Sequence, residues 1–237
     1  MPPTAIFFDM DDTLLDGFSA MTGAWDAVCA EAAPALSCEP EALRLAVRRE
    51  SERFWRNEAA VETEWRTRLR EAREHVVCLA LESEGWDTAQ APTIARRYGE
   101  EHRARLHMFD DAISTLETLR EGGFKLGLLT NGPAALQRDK IDRFGLEPYF
   151  DVIVIEGEFG NGKPHEKVFR HALAVTGAAP ADAWHVGDNL YADVGGARAV
   201  GVHAVWIHRD RLELKEGQHV PDRVIAHLDE LLQALRA

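Results

Sequence analysis

Short apolar runs without polar alternation recur along this chain, and each stops at a polar residue. Ala5-Ile6-Phe7-Phe8 ends at Asp9. Later runs cover Lys125 to Leu129, Val152 to Ile155, Ala183 to Val186 and Val202 to Ile207, with a shorter one at Val224-Ile225. Their length and continuity predict strands buried on both faces. Stretches of helical spacing separate them, such as Asp111 to Arg120 and Ala134 to Phe144, and Asp229 to Leu235 reads as a closing helix. Strands alternating with helices predict an α/β fold: a Rossmann-like parallel sheet with helices on both faces and Val224-Ile225 as an edge strand.

Residues 17–107 break this rhythm. They show helical periodicity and no convincing strand. Trp65, Leu69, Ala72, Val76 and Leu79 recur at three- and four-residue steps, as along one helix stripe. Leu43, Val47 and Phe54 suggest a second stripe, and Gly23 to Ala33 and Thr93 to Arg105 read as helices. Some 90 residues are too many for a loop. They predict an inserted α-helical cap domain at 17–107, with linkers near Leu15–Phe18 and Met108–Asp110. The α/β core then takes 1–16 and 108–237.

Composition narrows the function. With 237 residues, 46% hydrophobic and 28% charged, the chain can bury a core. A formal net charge of −13 argues against nucleic acid or an anionic membrane as partner, since both need a basic face. Three cysteines, Cys29, Cys38 and Cys78, fit neither a disulfide framework nor a zinc site. The N-terminus lacks a basic segment followed by an apolar run, and no stretch is apolar enough to span a bilayer. A cytoplasmic location is the expectation. The cap or an edge strand could pair two copies as a homodimer.

The chemistry lies where the apolar runs stop, outside the carboxyl ends of parallel strands. Asp9 and Asp11 are two residues apart and can face one cleft. One carboxylate there can attack phosphorus, and the other can give a proton to the leaving oxygen and later take one from water. Thr130-Asn131-Gly132 offers a hydroxyl and backbone N–H groups suited to phosphate oxygens, although Asn-Gly is also an ordinary turn. Lys163, one of only five lysines, sits in the Gly/Pro-shaped loop Gly160 to Pro164 and can neutralise phosphoryl charge. Asp188 follows the next strand, with Asp193 five residues on. Magnesium needs one or two carboxylates plus substrate oxygens, so Asp188 can complete a site with Asp9, with Asp193 orienting it. Each signal is modest alone; an acidic turn or a helix cap would explain Asp9 or Asp188 separately.

Together these residues resemble the haloacid dehalogenase-like hydrolase superfamily, in its C1-capped subfamily I phosphatase type. Asp9 to Thr13 is similar to its Asp-x-Asp-x-Thr motif, Thr130-Asn131 to its threonine motif, Gly162-Lys163-Pro164 to its lysine motif, and Gly187-Asp188 with Asp193 to its acidic motif. Gln137 to Phe150 and Val168 to Leu173 also look like that family's core, and the likeness covers most of 4–16 and 108–235. It implies a magnesium-dependent phosphomonoester hydrolase acting on a small-molecule phosphate ester through a phospho-aspartyl intermediate. Asp9 would be nucleophile and Mg2+ ligand. Asp11 would be the general acid/base, its backbone carbonyl a further ligand. Thr130 and Lys163 would hold the phosphoryl group, helped by backbone N–H groups near Asp12, Asn131 and Gly132. Asp188 would be the third ligand and Asp193 its support.

Two activities of the superfamily fit poorly. Its dehalogenases do not have the second aspartate of the pattern, whereas Asp11 is present. Its phosphonate-cleaving members use a cap lysine, whereas residues 17–107 contain none. A phosphomutase of sugar phosphates remains an alternative, and a non-catalytic binding protein is a weaker one. The cap arginines Arg44, Arg48, Arg49, Arg53, Arg56, Arg66, Arg68, Arg70 and Arg73 either meet a second anionic group or pair on the surface with Glu50, Glu52, Glu62, Glu64, Glu71 and Glu74. Helical spacing favours pairing. Trp25, Phe54, Trp55 and Trp65 either stack on a base or sugar of the substrate or, as is commoner for such residues, form the cap core. His165 and His185 read as structural or peripheral.

Overall fold

The computed structural model describes residues 3–56, 65, 67–209, 214–215 and 217–235. The chain divides into two compact units: Met1–Asp16 with Met108–Ala237, and Gly17–His107. The first unit holds strands β1 (Ala5–Phe8), β2 (Lys125–Thr130), β3 (Val152–Ile155), β4 (Ala183–Gly187), β5 (His203–Ile207) and β6 (Arg223–Ile225). The helices are α1 (Gly17–Leu36), α2 (Pro40–Trp55), α3 (Leu69–Glu84) and α4 (Ala91–Arg105) in the second unit. In the first they are α5 (Ala112–Glu121), α6 (Ala134–Arg143), α7 (Glu156–Phe159), α8 (Glu166–Thr176), α9 (Gly196–Ala199) and α10 (Leu228–Ala234). A π-helical turn, Leu190–Gly195, precedes α9.

The strands form one sheet in the order β3-β2-β1-β4-β5-β6, and every neighbouring pair is parallel. All four residues of β1 are buried. Ala5 and Phe7 pack into a cluster with Val168, Phe169 and Ala172 of α8. Ile6 and Phe8 are as fully buried and point to the opposite face, because side chains alternate along a strand. Burial on both faces explains why these strands read as continuous apolar runs. The register sets Phe8 opposite Leu128 of β2 and Val186 of β4. Residues just past β1, β2 and β4 therefore emerge side by side, at about one strand spacing each. The order also switches direction at β1, which opens a crevice there.

Among its described residues the second unit contains helices and their connections and no strand. Val28, Leu43, Val47, Val77, Leu81, Ile94 and Tyr98 form its core. Helix α1 starts at Gly17, six residues before the expected start at Gly23, and takes in Phe18, which was expected in a linker. Its first turns carry the exposed Phe18 and Met21, so no core-facing period marks them. On α3 the buried face is Ala72, Val76, Val77, Ala80 and Leu81, with Leu69 and Leu79 only half-buried at its margin. Trp25 stacks on Tyr98 at 4.2 Å against the core. Phe54 packs edge-on to both Trp55 and Trp65 in a half-buried cluster.

Arg44 pairs with Glu41, Arg48 with Glu52, Arg49 with Glu50 and Glu84, Arg53 with Glu50, and Arg68 with Glu71. Arg73 instead lies over the Tyr98 ring. These contacts agree with a paired surface rather than a row of unsatisfied cations. Arg66, Glu62 and Glu64 lie outside the described residues. Among the described residues no helix is long and apolar enough to cross a membrane.

Candidate active site

Asp9 leaves β1 with its N–H donating to Val186 O at 2.9 Å, which pins its backbone to the neighbouring strand β4. It is 8% exposed. Lys163, 2% exposed, reaches it from the loop before α8: Nζ lies 2.5 Å from Asp9 Oδ1 and 2.7 Å from Asp193 Oδ1. Asp193 stands on the π-helical turn after β4. Its Oδ1 also meets His185 Nε2 at 2.8 Å, and its Oδ2 accepts the Asn189 N–H at 3.0 Å. Gly187 makes this packing possible. A Cβ there would fall 2.2 Å from Asp193 Cγ, closer than any real contact.

Charge in this cluster is unbalanced. Asp9, Asp188 and Asp193 each offer a carboxylate oxygen, all within 4.8 Å of one another. Burial, partly offset by Lys163 and reinforced by Asp193 and Asp11, pushes the Asp9 carboxyl up to about 7. Burial and the charges of Asp9, Asp193 and Asp12 push Asp188 well above the carboxylate range. For Asp193 burial is outweighed by Lys163 and His185, which hold it below that range. Burial likewise opposes the Lys163 charge, but Asp193 and Asp9 outweigh it and hold the ammonium on. Three buried or half-buried carboxylates thus share one ammonium. Hard oxygen donors lacking positive charge suit a divalent cation such as magnesium. Asp193 already receives three polar contacts, so Asp9 and Asp188 are the better ligands.

On the β2 side, Thr130 is buried, and its Oγ1 accepts from Gln137 Nε2 at 2.6 Å. A hydroxyl that accepts this bond keeps its own hydrogen to donate elsewhere. Asn131 spends its side chain internally: Oδ1 accepts the Lys163 N–H at 2.7 Å and Nδ2 donates to Lys163 O at 2.8 Å. This two-way clasp ties the lysine loop to the end of β2. Gly132, expected to offer its N–H to phosphate, instead donates it to Glu156 Oε2 at 2.9 Å. The Asp12 N–H, expected in the same role, donates to Leu15 O at 2.7 Å. The tight turn at Asp12, with φ of 59°, consumes one donor, and buried Glu156 consumes the other. Thr130 is left as the side-chain donor of that set.

Asp11 turns toward α6. Lys140 Nζ lies 2.7 Å from each of its carboxylate oxygens, and Gln137 Nε2 donates to Oδ2 at 3.1 Å. Gln137, Lys140 and Glu156 were not among the expected site residues. Gln137 and Lys140 do stand three apart, on one helix face, and lysine is scarce in this chain. Those signals were present but named no partner. His185 is buried, and its Nε2 supports Asp193 from behind the cluster.

The class defined by this fold and site is a hydrolase with an aspartate-based centre on a parallel α/β sheet. The chain belongs to the haloacid dehalogenase-like hydrolases, whose family model matches residues 3–201. It is 40% identical over 162 residues to the phosphoserine phosphatase of Thermus thermophilus, a match covering 68% of this chain and 64% of that protein. Less than two thirds of that relative's length is therefore spanned. A phosphatase structure of the same family from Thermococcus onnurineus is similar with a TM-score of 0.67 and 28% identity, over 99% of this chain and 98% of that one. A 2-haloacid dehalogenase structure from Pseudomonas syringae is similar with a TM-score of 0.64 and 30% identity, over 100% and 99%.

Proposed function

We propose that this chain is a magnesium-dependent phosphomonoester hydrolase acting on a small phosphorylated metabolite through a phosphorylated Asp9. The observation that carries the reading is the buried contact of Lys163 with both Asp9 and Asp193, in a carboxylate cluster that also includes Asp188. An Asp9 oxygen attacks phosphorus, and the bond from phosphorus to the ester oxygen breaks. Asp11 gives that oxygen its proton. Asp11 then takes a proton from water as the water attacks phosphorus, which frees Asp9 and releases inorganic phosphate. Lys163 and Thr130 neutralise and orient the phosphoryl oxygens. Asp9, Asp188 and the Asp11 carbonyl would hold the magnesium ion, which supplies positive charge against phosphate oxygens approaching a carboxylate.

The second carboxylate decides between the two activities seen among the relatives. An alkyl halide needs no protonated leaving oxygen, whereas a phosphate ester does. Asp11 stands two residues beyond Asp9, which supports ester hydrolysis. Residues 17–107 are read as a helical cap domain and 1–16 with 108–237 as the catalytic core. The free cysteines Cys29, Cys38 and Cys78 support a reducing, cytoplasmic setting.

The test is phosphate release from a panel of phosphate esters, with magnesium and with a chelator. The expected result is magnesium-dependent release that Asp9→Asn abolishes. No release from any ester, or release unaffected by Asp9→Asn, would overturn the reading. Isomerisation of a sugar phosphate without release would point to a mutase.

A further inference from the structure

The reaction above needs Asp11 in one place while it gives and takes a proton, yet Asp11 lies on a turn and is 34% exposed at its side chain. A carboxylate there has rotamer freedom unless something holds it. Helix α6 supplies the hold. Lys140 Nζ meets both oxygens at 2.7 Å, and Gln137 Nε2 meets one at 3.1 Å. The Lys140 side chain is only 18% exposed, and Gln137 is 1% exposed. These are not two long side chains meeting in open water, where such a pair is worth little.

Gln137 is itself anchored. The same Nε2 reaches Thr130 Oγ1 at 2.6 Å and Asn131 O at 2.8 Å, so its two hydrogens are shared among three acceptors. One side chain thus ties the Asp11 carboxylate to the hydroxyl expected to hold the phosphoryl group. Lys140 sits one helical turn further along α6 and closes on the carboxylate from that side. We propose that Lys140, with Gln137, is a positioning residue for the proposed hydrolysis: it sets where the Asp11 carboxylate stands relative to Thr130 and the phosphoryl site. This rests on the phosphatase reading for its kinetic consequence but not for its geometry. A group held in register by a neighbour loses rate when released, since small misplacements cost about tenfold to a hundredfold.

The experiment pairs kinetics with structure. Lys140→Met is expected to lower kcat by about 10- to 100-fold with KM within about twofold. Lys140→Arg, which keeps the positive charge and can meet both Asp11 oxygens through its guanidinium fork, is expected to recover much of the loss. In an Asp11→Asn background Lys140→Met should change the residual kcat by less than about twofold, because a residue acting through Asp11 has nothing left to act on. Crystal structures of the wild-type protein and of Lys140→Met should show the Asp11 carboxylate displaced in the variant. Wild-type kcat in Lys140→Met, an equal loss in the Asp11→Asn background, or an Asp11 carboxylate unmoved in the variant structure would each overturn the proposal. If the wild-type protein turned over no ester, the phosphatase reading would fall, and the pair of structures would still decide whether Lys140 places Asp11.

Discussion

Lys163 Nζ lies 2.5 Å from Asp9 Oδ1 although 154 positions separate the two residues in the chain. The parallel sheet makes this meeting possible. β1 lies beside β4, and the lysine loop is clasped to the end of β2 by Asn131. A buried ammonium shared by two buried carboxylates is costly to assemble and more costly to break.

Removing that ammonium gives the first prediction. Lys163→Met leaves Asp9 and Asp193 in the same buried space without their counter-charge. Breaking a buried pair by deleting one partner costs about 3–5 kcal/mol. Urea unfolding near neutral pH should show a loss of that order, alongside loss of phosphate release. A loss below about 1 kcal/mol, within the range of an exposed pair, would contradict the buried assignment.

Gly187→Ala tests the support of Asp193. The added methyl would meet the Asp193 carboxyl carbon at 2.2 Å, so the carboxylate must move off Lys163 or His185. Overpacking of this kind costs about 1–3 kcal/mol. Activity should fall by more than the stability change accounts for, since Lys163 loses a partner. An alanine variant with wild-type melting and wild-type kcat would show that the turn after β4 absorbs the methyl.

The unbalanced carboxylates predict a pH-dependent affinity for magnesium. The Asp9 carboxyl is pushed up to about 7, chiefly by burial. Below that value the carboxyl holds a proton, and a cation must displace it. Affinity should therefore rise with pH through about 7, and the raised carboxyl of Asp188, the second proposed ligand, adds to that rise. Calorimetry near pH 6 in buffers of different ionisation enthalpy should reveal proton release on binding. Affinity that stays constant from about pH 5.5 to about pH 7.5 would contradict this.

Much of the site was legible because each main element ends where a buried apolar run stops. Asp9, Thr130 and Asp188 mark the ends of strands that read plainly, and the Gly/Pro frame singled out Lys163. Asp193 was legible only through its spacing from Asp188. What the sequence did not disclose were contacts set by side-chain direction. Lys140 and Asp11 are 129 positions apart, and nothing in helical spacing says that α6 aims its lysine at the turn after β1. The N–H groups of Asp12 and Gly132 looked available because their partners, Leu15 O and the Glu156 carboxylate, are fixed only by the folded turn and by β3. The early start of α1 was hidden because its first turns expose Phe18 and Met21 rather than bury a periodic face.

The nucleophile can be caught directly. Protein mixed with a turned-over phosphate ester, quenched in acid within milliseconds and digested, should carry one phosphoryl group on the peptide containing Asp9, lost when hydroxylamine is added. The Asp9→Asn protein should carry none. Steady turnover with no phosphorylated peptide at any quench time, or the label on a peptide lacking Asp9, would contradict the account.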